Sequence, residues 1–457
     1  MPITKFVSSL RLLLLCIAFI MSGCFKKQSS EEESEPATTT PVQQEKTDKK
    51  EPTPTIPDTE ETTAPTTVNV NVYLEISNGM KGFMPTGTAG KQPTAFQNKL
   101  NKLISEVQDG RYVENKAFYL AKEDAQSRPV LDSVSYNTIK SYIVSGIKDD
   151  VRGTPLPAML KAVLQKSIEQ GAVSVIVSDF IHGPDPRDQG QFISLDSDIR
   201  SSLREAERQG MAIAVMANTS TFTGTYHPAV KTPEVRRTLN GVEIPFYIWV
   251  IGKQEDVQVV TKKVLRDLPA QQAYFGFEYK EIPYSALLKE KEFKPAGIVY
   301  CSSRNAEPCT SVNLQPEKNE PVEFTVGLDL SSLPASMQSI DYLKKNLKVA
   351  SNGSRASMMT IKAADDNIKA TPDLAKYSHF VRVHVPQLTS NFGSFSVQLP
   401  HVYPSWINTW STDNDNNPAA APKKTYQFNK IIDGVQALYR DRSDFVINAT
   451  IQFNKAD

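Results

Sequence analysis

The chain has 457 residues, of which 51 are Lys or Arg and 51 are Asp or Glu. This balance excludes a strongly basic face, and the isolated doublets Arg236-Arg237 and Lys262-Lys263 lack the aromatic clustering of a nucleic-acid surface. The length beyond residue 67 suffices for two domains with cores of their own.

In chain order, the first predicted element is a secretory signal peptide over residues 1–23. Lys5 and Arg11 precede the apolar run Leu12 to Ile20, which is too short to span a bilayer comfortably. Ser22-Gly23 directly before Cys24 resembles the bacterial lipobox, which implies cleavage after Gly23 and palmitate-type acylation of Cys24. Each buried acyl methylene contributes about 0.8 kcal/mol, so several chains would hold the protein lastingly on a membrane. Residues 24–67 are rich in Thr, Pro and Glu and poor in large apolar side chains, which predicts a disordered stalk. The expected location is therefore the cell membrane, in particular the outer membrane, with the folded part on its periplasmic or surface face.

From Val68 to Leu268 strands and helices alternate, the pattern of a doubly wound α/β domain with a largely parallel sheet. Strands are expected at Val68 to Ile76, Lys116 to Leu120, Ala172 to Ser178, Met211 to Met216 and Pro245 to Ile251. Helices are expected at Thr94 to Gln108, Asn137 to Ile147, Leu156 to Gln170, Leu195 to Gln209 and Glu255 to Leu268. Leu156, Leu160, Val163, Leu164 and Ile168 share one helical face, and Pro155 suits the first turn, leaving Thr154 near the N-cap. Asn240-Gly241 reads as a two-residue hairpin turn. The runs from His182 to Asp188 and from Asn218 to Phe222 read as polar rim loops.

After Pro269 the pattern changes to strands with few helices, which predicts a β-rich, sandwich-like second domain over 269–457. Cys301 and Cys309 remain to pair as a local disulfide in an exported compartment. The run from Trp406 to Asn417 reads as a surface loop beside two tryptophans, because Pro418 and Lys424 stand where a calcium loop needs Gly and Glu.

Three segments place oxygen-bearing side chains beside strand ends or a helix start: Glu75-Ile76-Ser77-Asn78-Gly79, Thr154, and Asp179. In a doubly wound sheet such ends gather where ligands bind. The pattern resembles the von Willebrand factor A domain, whose metal-ion-dependent adhesion site reads Asp-x-Ser-x-Ser, a distant Thr and a distant Asp. Met80-Lys81-Gly82-Phe83 resembles the continuation found in bacterial members. The resemblance implies Glu75, Ser77, Thr154 and Asp179 as ligands of Mg²⁺, with Gly79 in place of the second Ser and an acidic partner side chain completing the coordination.

The expected function is capture of a protein or envelope partner by a tethered lipoprotein, with or without Mg²⁺. The alternatives are a metal-dependent hydrolase acting on phosphoesters and a structural envelope-assembly protein. Nucleophile-elbow, zinc-helix and phosphate-loop motifs do not occur, and His379 and His384 fall on opposite faces of one predicted strand, so no enzyme is expected.

Overall fold

The computed structural model describes residues 66–86, 92–151, 155–184, 190–230, 236–304, 306–315 and 320–456. The signal peptide, Cys24, almost all of the expected stalk and Thr154 lie outside them.

The first sheet has seven strands: β1 (Val68–Glu75), β2 (Val113–Glu123), β3 (Pro129–Val134), β4 (Val173–Ser178), β5 (Met211–Tyr226), β6 (Arg237–Lys253) and β7 (Gln271–Phe275). Their order is β3-β2-β1-β4-β6-β5-β7. Only β2, β1 and β4 run parallel to one another as neighbours, and every other pairing is antiparallel. The sheet is thus mixed, and the expectation of a largely parallel one holds for its centre alone.

Helices α1 (Ala95–Asp109) and α2 (Tyr136–Ser145) cover one face, where Phe96, Leu100, Ile104 and Ile139 meet Val70, Val72 and Leu74. Helices α3 (Leu156–Gln170) and α4 (Leu195–Arg208) cover the other, where Leu160, Val163 and Ile199 meet Tyr73 and Ile176. Burial on both faces explains the continuous apolar runs of β1 and β4. A capping box starts α1: Thr94 Oγ1 accepts from the Gln97 amide at 3.1 Å, and Gln97 Oε1 accepts from the Thr94 amide at 3.0 Å. The predicted helix Glu255 to Leu268 is α-helical only over Gln254–Val259 and continues as a π turn over Val260–Val264.

Two corrections concern β5 and β6. Asn240-Gly241 is not a hairpin turn: β5 and β6 stay paired past it, with Phe222 opposite Val242 and Thr223 opposite Asn240. Gly241, at φ +71°, is the extra residue of a bulge, and its amide donates to Thr223 Oγ1 at 3.2 Å. Nor is Asn218 to Phe222 a loop. It is strand, because Ser220, Phe222 and Tyr226 alternate inward while Thr221, Thr223 and Thr225 face water.

Two further sheets follow. One has the order β12-β15-β18-β10-β9, from β12 (Lys348–Asn352), β15 (Phe392–Pro400), β18 (Phe445–Lys455), β10 (Ser311–Gln315) and β9 (Ile298–Cys301). The other has the order β13-β14-β11-β8, from β13 (Ser354–Ala363), β14 (His379–Leu388), β11 (Val322–Leu328) and β8 (Tyr284–Leu287). Their inner faces pack together, with Phe324 edge-on to Phe395 at 5.4 Å, so the β-rich part is a sandwich. A disulfide joins Cys301 to Cys309, with Cα atoms 5.9 Å apart.

The boundary expected at residue 268 is crossed twice. β7 completes the first sheet, and the helix Phe428–Leu438 packs its Ile431, Ile432 and Val435 into the core under α3 and α4. Residues 63–457 form one compact unit. A two-strand ladder of β16 (Ser411–Thr412) and β17 (Thr425–Tyr426) holds the base of the loop that precedes this helix. Among the described residues no helix is long and apolar enough to cross a membrane.

The 3-10 turn Met80–Phe83 rests against the β5 extension, where a Cβ on Gly82 would fall 2.2 Å from the Phe222 ring. Gly82→Ala is therefore expected to cost about 1–3 kcal/mol through overpacking, read as a lower urea midpoint at unchanged slope.

Candidate functional site

β1 has β2 on one side and β4 on the other, so the strand order reverses at the β1–β4 pair. In wound sheets such a reversal is where a ligand crevice forms, outside the carboxyl ends of the two strands. Glu75 and Ser77 lie at the end of β1 and Asp179 directly after β4, each only 4–5% exposed.

Glu75 Oε2 accepts a hydrogen bond from Ser178 Oγ at 2.9 Å, which ties the end of β1 to the end of β4. Burial drives the Glu75 carboxyl above its ordinary range, and hydrogen bonds from Ser77 and Ser178 pull it partly back. Asp179 Oδ1 accepts from the Ile181 amide at 3.0 Å. Between them Phe180 sits at φ +53°, a left-handed conformation that is strained for a bulky residue, held by stacking on Trp249 at 4.5 Å. This left-handed residue ends the extended run of β4, next to Asp179.

Gly79 completes the convergence. A Cβ there would lie 3.3 Å from Ser77 Oγ and 3.4 Å from Asp179 Oδ2, so Ser77, Gly79 and Asp179 face one point. The turn that carries them is pinned from below, since Thr94 Oγ1 donates to the Phe83 carbonyl at 2.7 Å and Phe83 packs against Phe96 and Phe222. The Asn78 amide donates to the Val151 carbonyl at 2.8 Å, and Asn78 Nδ2 to Asp150 Oδ1 at 2.6 Å. The segment that leads to Thr154 is thereby fastened to the rim; Thr154 itself lies outside the described residues.

Several rim residues escaped the sequence reading. Tyr226 and Tyr247 are held protonated, chiefly by burial, and both feel the charge of Asp179. Tyr247 Oη donates to Thr425 Oγ1 at 3.1 Å. Asp415, expected in a surface loop, is 2% exposed, and its Oδ2 accepts from the Ala229 amide at 2.6 Å and from Tyr226 Oη at 3.4 Å. Burial raises its carboxyl. The loop between β16 and β17 thus reaches the same rim as β5, which no local motif announces. His182 is also buried, edge-on to Phe192 at 5.9 Å, and burial lowers it to about 4.

Carboxylate and hydroxyl oxygens at Glu75, Ser77 and Asp179 suit a hard divalent cation. Among the described residues no group of three or more His, Cys, Asp or Glu side chains is arranged to hold a metal, so hydroxyls would have to contribute to any such shell. No protein family, curated protein or solved structure matches the chain.

Two pH dependences follow. In the unfolded chain His182 takes up a proton near pH 6.5, whereas in the folded chain it stays neutral to about 4. Stability therefore falls as pH drops through that interval, by up to about 3 kcal/mol, and His182→Phe should flatten this limb of a pH series of urea unfolding curves. Glu75 acts in the opposite sense: above its ordinary value near 4.5 the unfolded chain has released a proton that the folded chain retains. Stability is then lost as pH rises toward the folded-state value, and Glu75→Gln should remove that loss.

Proposed function

We propose that the protein is a membrane-anchored lipoprotein whose von Willebrand A-like domain captures a protein or envelope partner at the β1–β4 crevice, with Mg²⁺ as the bridging ion. The observation that carries this reading is the convergence of Ser77, Gly79 and Asp179 on one point at the strand-order reversal, backed by Glu75. Ser77 and Asp179 would hold the ion, Glu75 would orient the Ser77 hydroxyl or join the shell, and Thr154 would complete it. Bound there, Mg²⁺ would supply a positive charge with open positions for an acidic partner group. The burial of Glu75 and Asp179 supports the same reading, since buried carboxylates are costly and a cation would offset that cost. The anchor rests on the lipobox resemblance at Cys24.

The proposal is tested by thermal unfolding of the purified full chain in EDTA and in a Mg²⁺ series. A ligand bound only to the folded state at about 100 times its Kd adds about 2.7 kcal/mol. A rise in Tm is expected that Asp179→Asn abolishes, while the Asn still accepts from Ile181. Gly79→Ser, which directs a hydroxyl at Ser77 and Asp179, should shift the Mg²⁺ midpoint to lower concentration. A Tm unmoved by millimolar Mg²⁺ in both the parent chain and Gly79→Ser would remove the ion from the account.

A further inference from the structure

A separate surface lies two strands from β4, at the outer edge of β5. β7 pairs with β5 only from Ile213 opposite Phe275 to Ala217 opposite Gln271, whereas β5 runs on to Tyr226. Past Ala217 the strand is laddered on one side alone, to β6, among the described residues. Alternate residues of an antiparallel strand turn both backbone groups to the same edge. The stretch from Asn218 onward therefore turns donors and acceptors to an edge that no strand among the described residues pairs.

A cleft of about 400 Å³ borders this edge. It is lined by Ala95 and Lys99 of the first turns of α1, by Trp410 and Lys423, and by Pro269 and Gln271 where β7 begins. With Ala217, Asn218 and Thr219 also in its lining, the cleft lies beside β5 where its pairing with β7 stops. Its lining includes two lysines and no carboxylate. Lys99 is tied to the Asp267 carbonyl, while the Lys423 ammonium makes no ion pair among the described residues. Asn218 Nδ2 is buried there without a hydrogen-bond partner among the described residues. The amino end of α1 adds positive potential.

We propose that this cleft receives an extended, acidic segment of a partner protein, added as a further strand on β5 in the place β7 leaves. Backbone pairing supplies affinity with little demand on sequence, Lys423 selects for a carboxylate, and Trp410 covers the apolar side chain beside it. The surface works without any ion at the β1–β4 crevice, so it stands or falls separately from the adhesion site.

The test is fluorescence anisotropy on the full chain in EDTA, with a labelled pool of alternating Val/Thr hexapeptides carrying one Glu at each position in turn. Saturable binding is expected, weakened about tenfold by Lys423→Glu and absent for a matched pool with Lys in place of Glu. N-methylation of one alternate set of peptide amides should abolish binding, and methylation of the other set should leave it. Equal binding of both methylated pools would overturn strand addition. So would no binding of the acidic pool at millimolar protein.

Discussion

The hydrogen bond from Ser178 to Glu75 joins the carboxyl ends of the two central strands, and the rest of the rim is arranged around it. A carboxyl buried at that depth is tolerated because Ser77 and Ser178 both donate to it. Ser77 is thereby oriented from behind, and Asp179, the residue after Ser178, is held by the Ile181 amide across the left-handed Phe180. A rigid floor of Phe83, Phe96 and Phe246 lies under the turn that carries Gly79. Site geometry here follows from packing: the polar groups stand at strand ends whose apolar bodies are fixed on both faces of the sheet.

The β-rich part is joined to the α/β part by shared core rather than by a linker. The chain leaves the first sheet, builds the sandwich, and returns with Trp406, Ile407 and the helix Phe428–Leu438 to cover Tyr247 and α4. On the way it places Asp415 against the β5–β6 extension, where it caps the Ala229 amide. A truncation at residue 268 would remove β7 and strip apolar cover from Ile213, Val215 and Tyr247. The α/β part and the sandwich therefore share one apolar core, although they are built from distant parts of the sequence.

Much of the centre was legible because periodicity and end signals agree there. β1, β4, α1 and α3 fall within a residue or two of their expected bounds, and Glu75, Ser77 and Asp179 reach one rim because strand ends in a wound sheet must. β3 was missed because it is a half-exposed edge strand that begins at Pro129 and carries Asp132 and Ser133, so it shows no apolar alternation. The β5–β6 extension was misread because Asn-Gly serves equally as a tight turn and as a bulge, and the choice depends on a partner strand that local sequence does not name. The burial of Asp415 and the packing of the helix Phe428–Leu438 against α4 were out of reach for the same reason, being set by contacts across more than 180 residues.

A ligand held in the crevice at the ends of β1 and β4 would protect the backbone that surrounds it. Amide hydrogen exchange on the full chain, with and without Mg²⁺, tests it at residue level. Slowed exchange is expected, confined to the amides of 77–83, of 179–183 and next to Thr154, with β13 and β14 unchanged. Slowing elsewhere, or exchange in these segments indifferent to Mg²⁺ up to millimolar concentration, would contradict it.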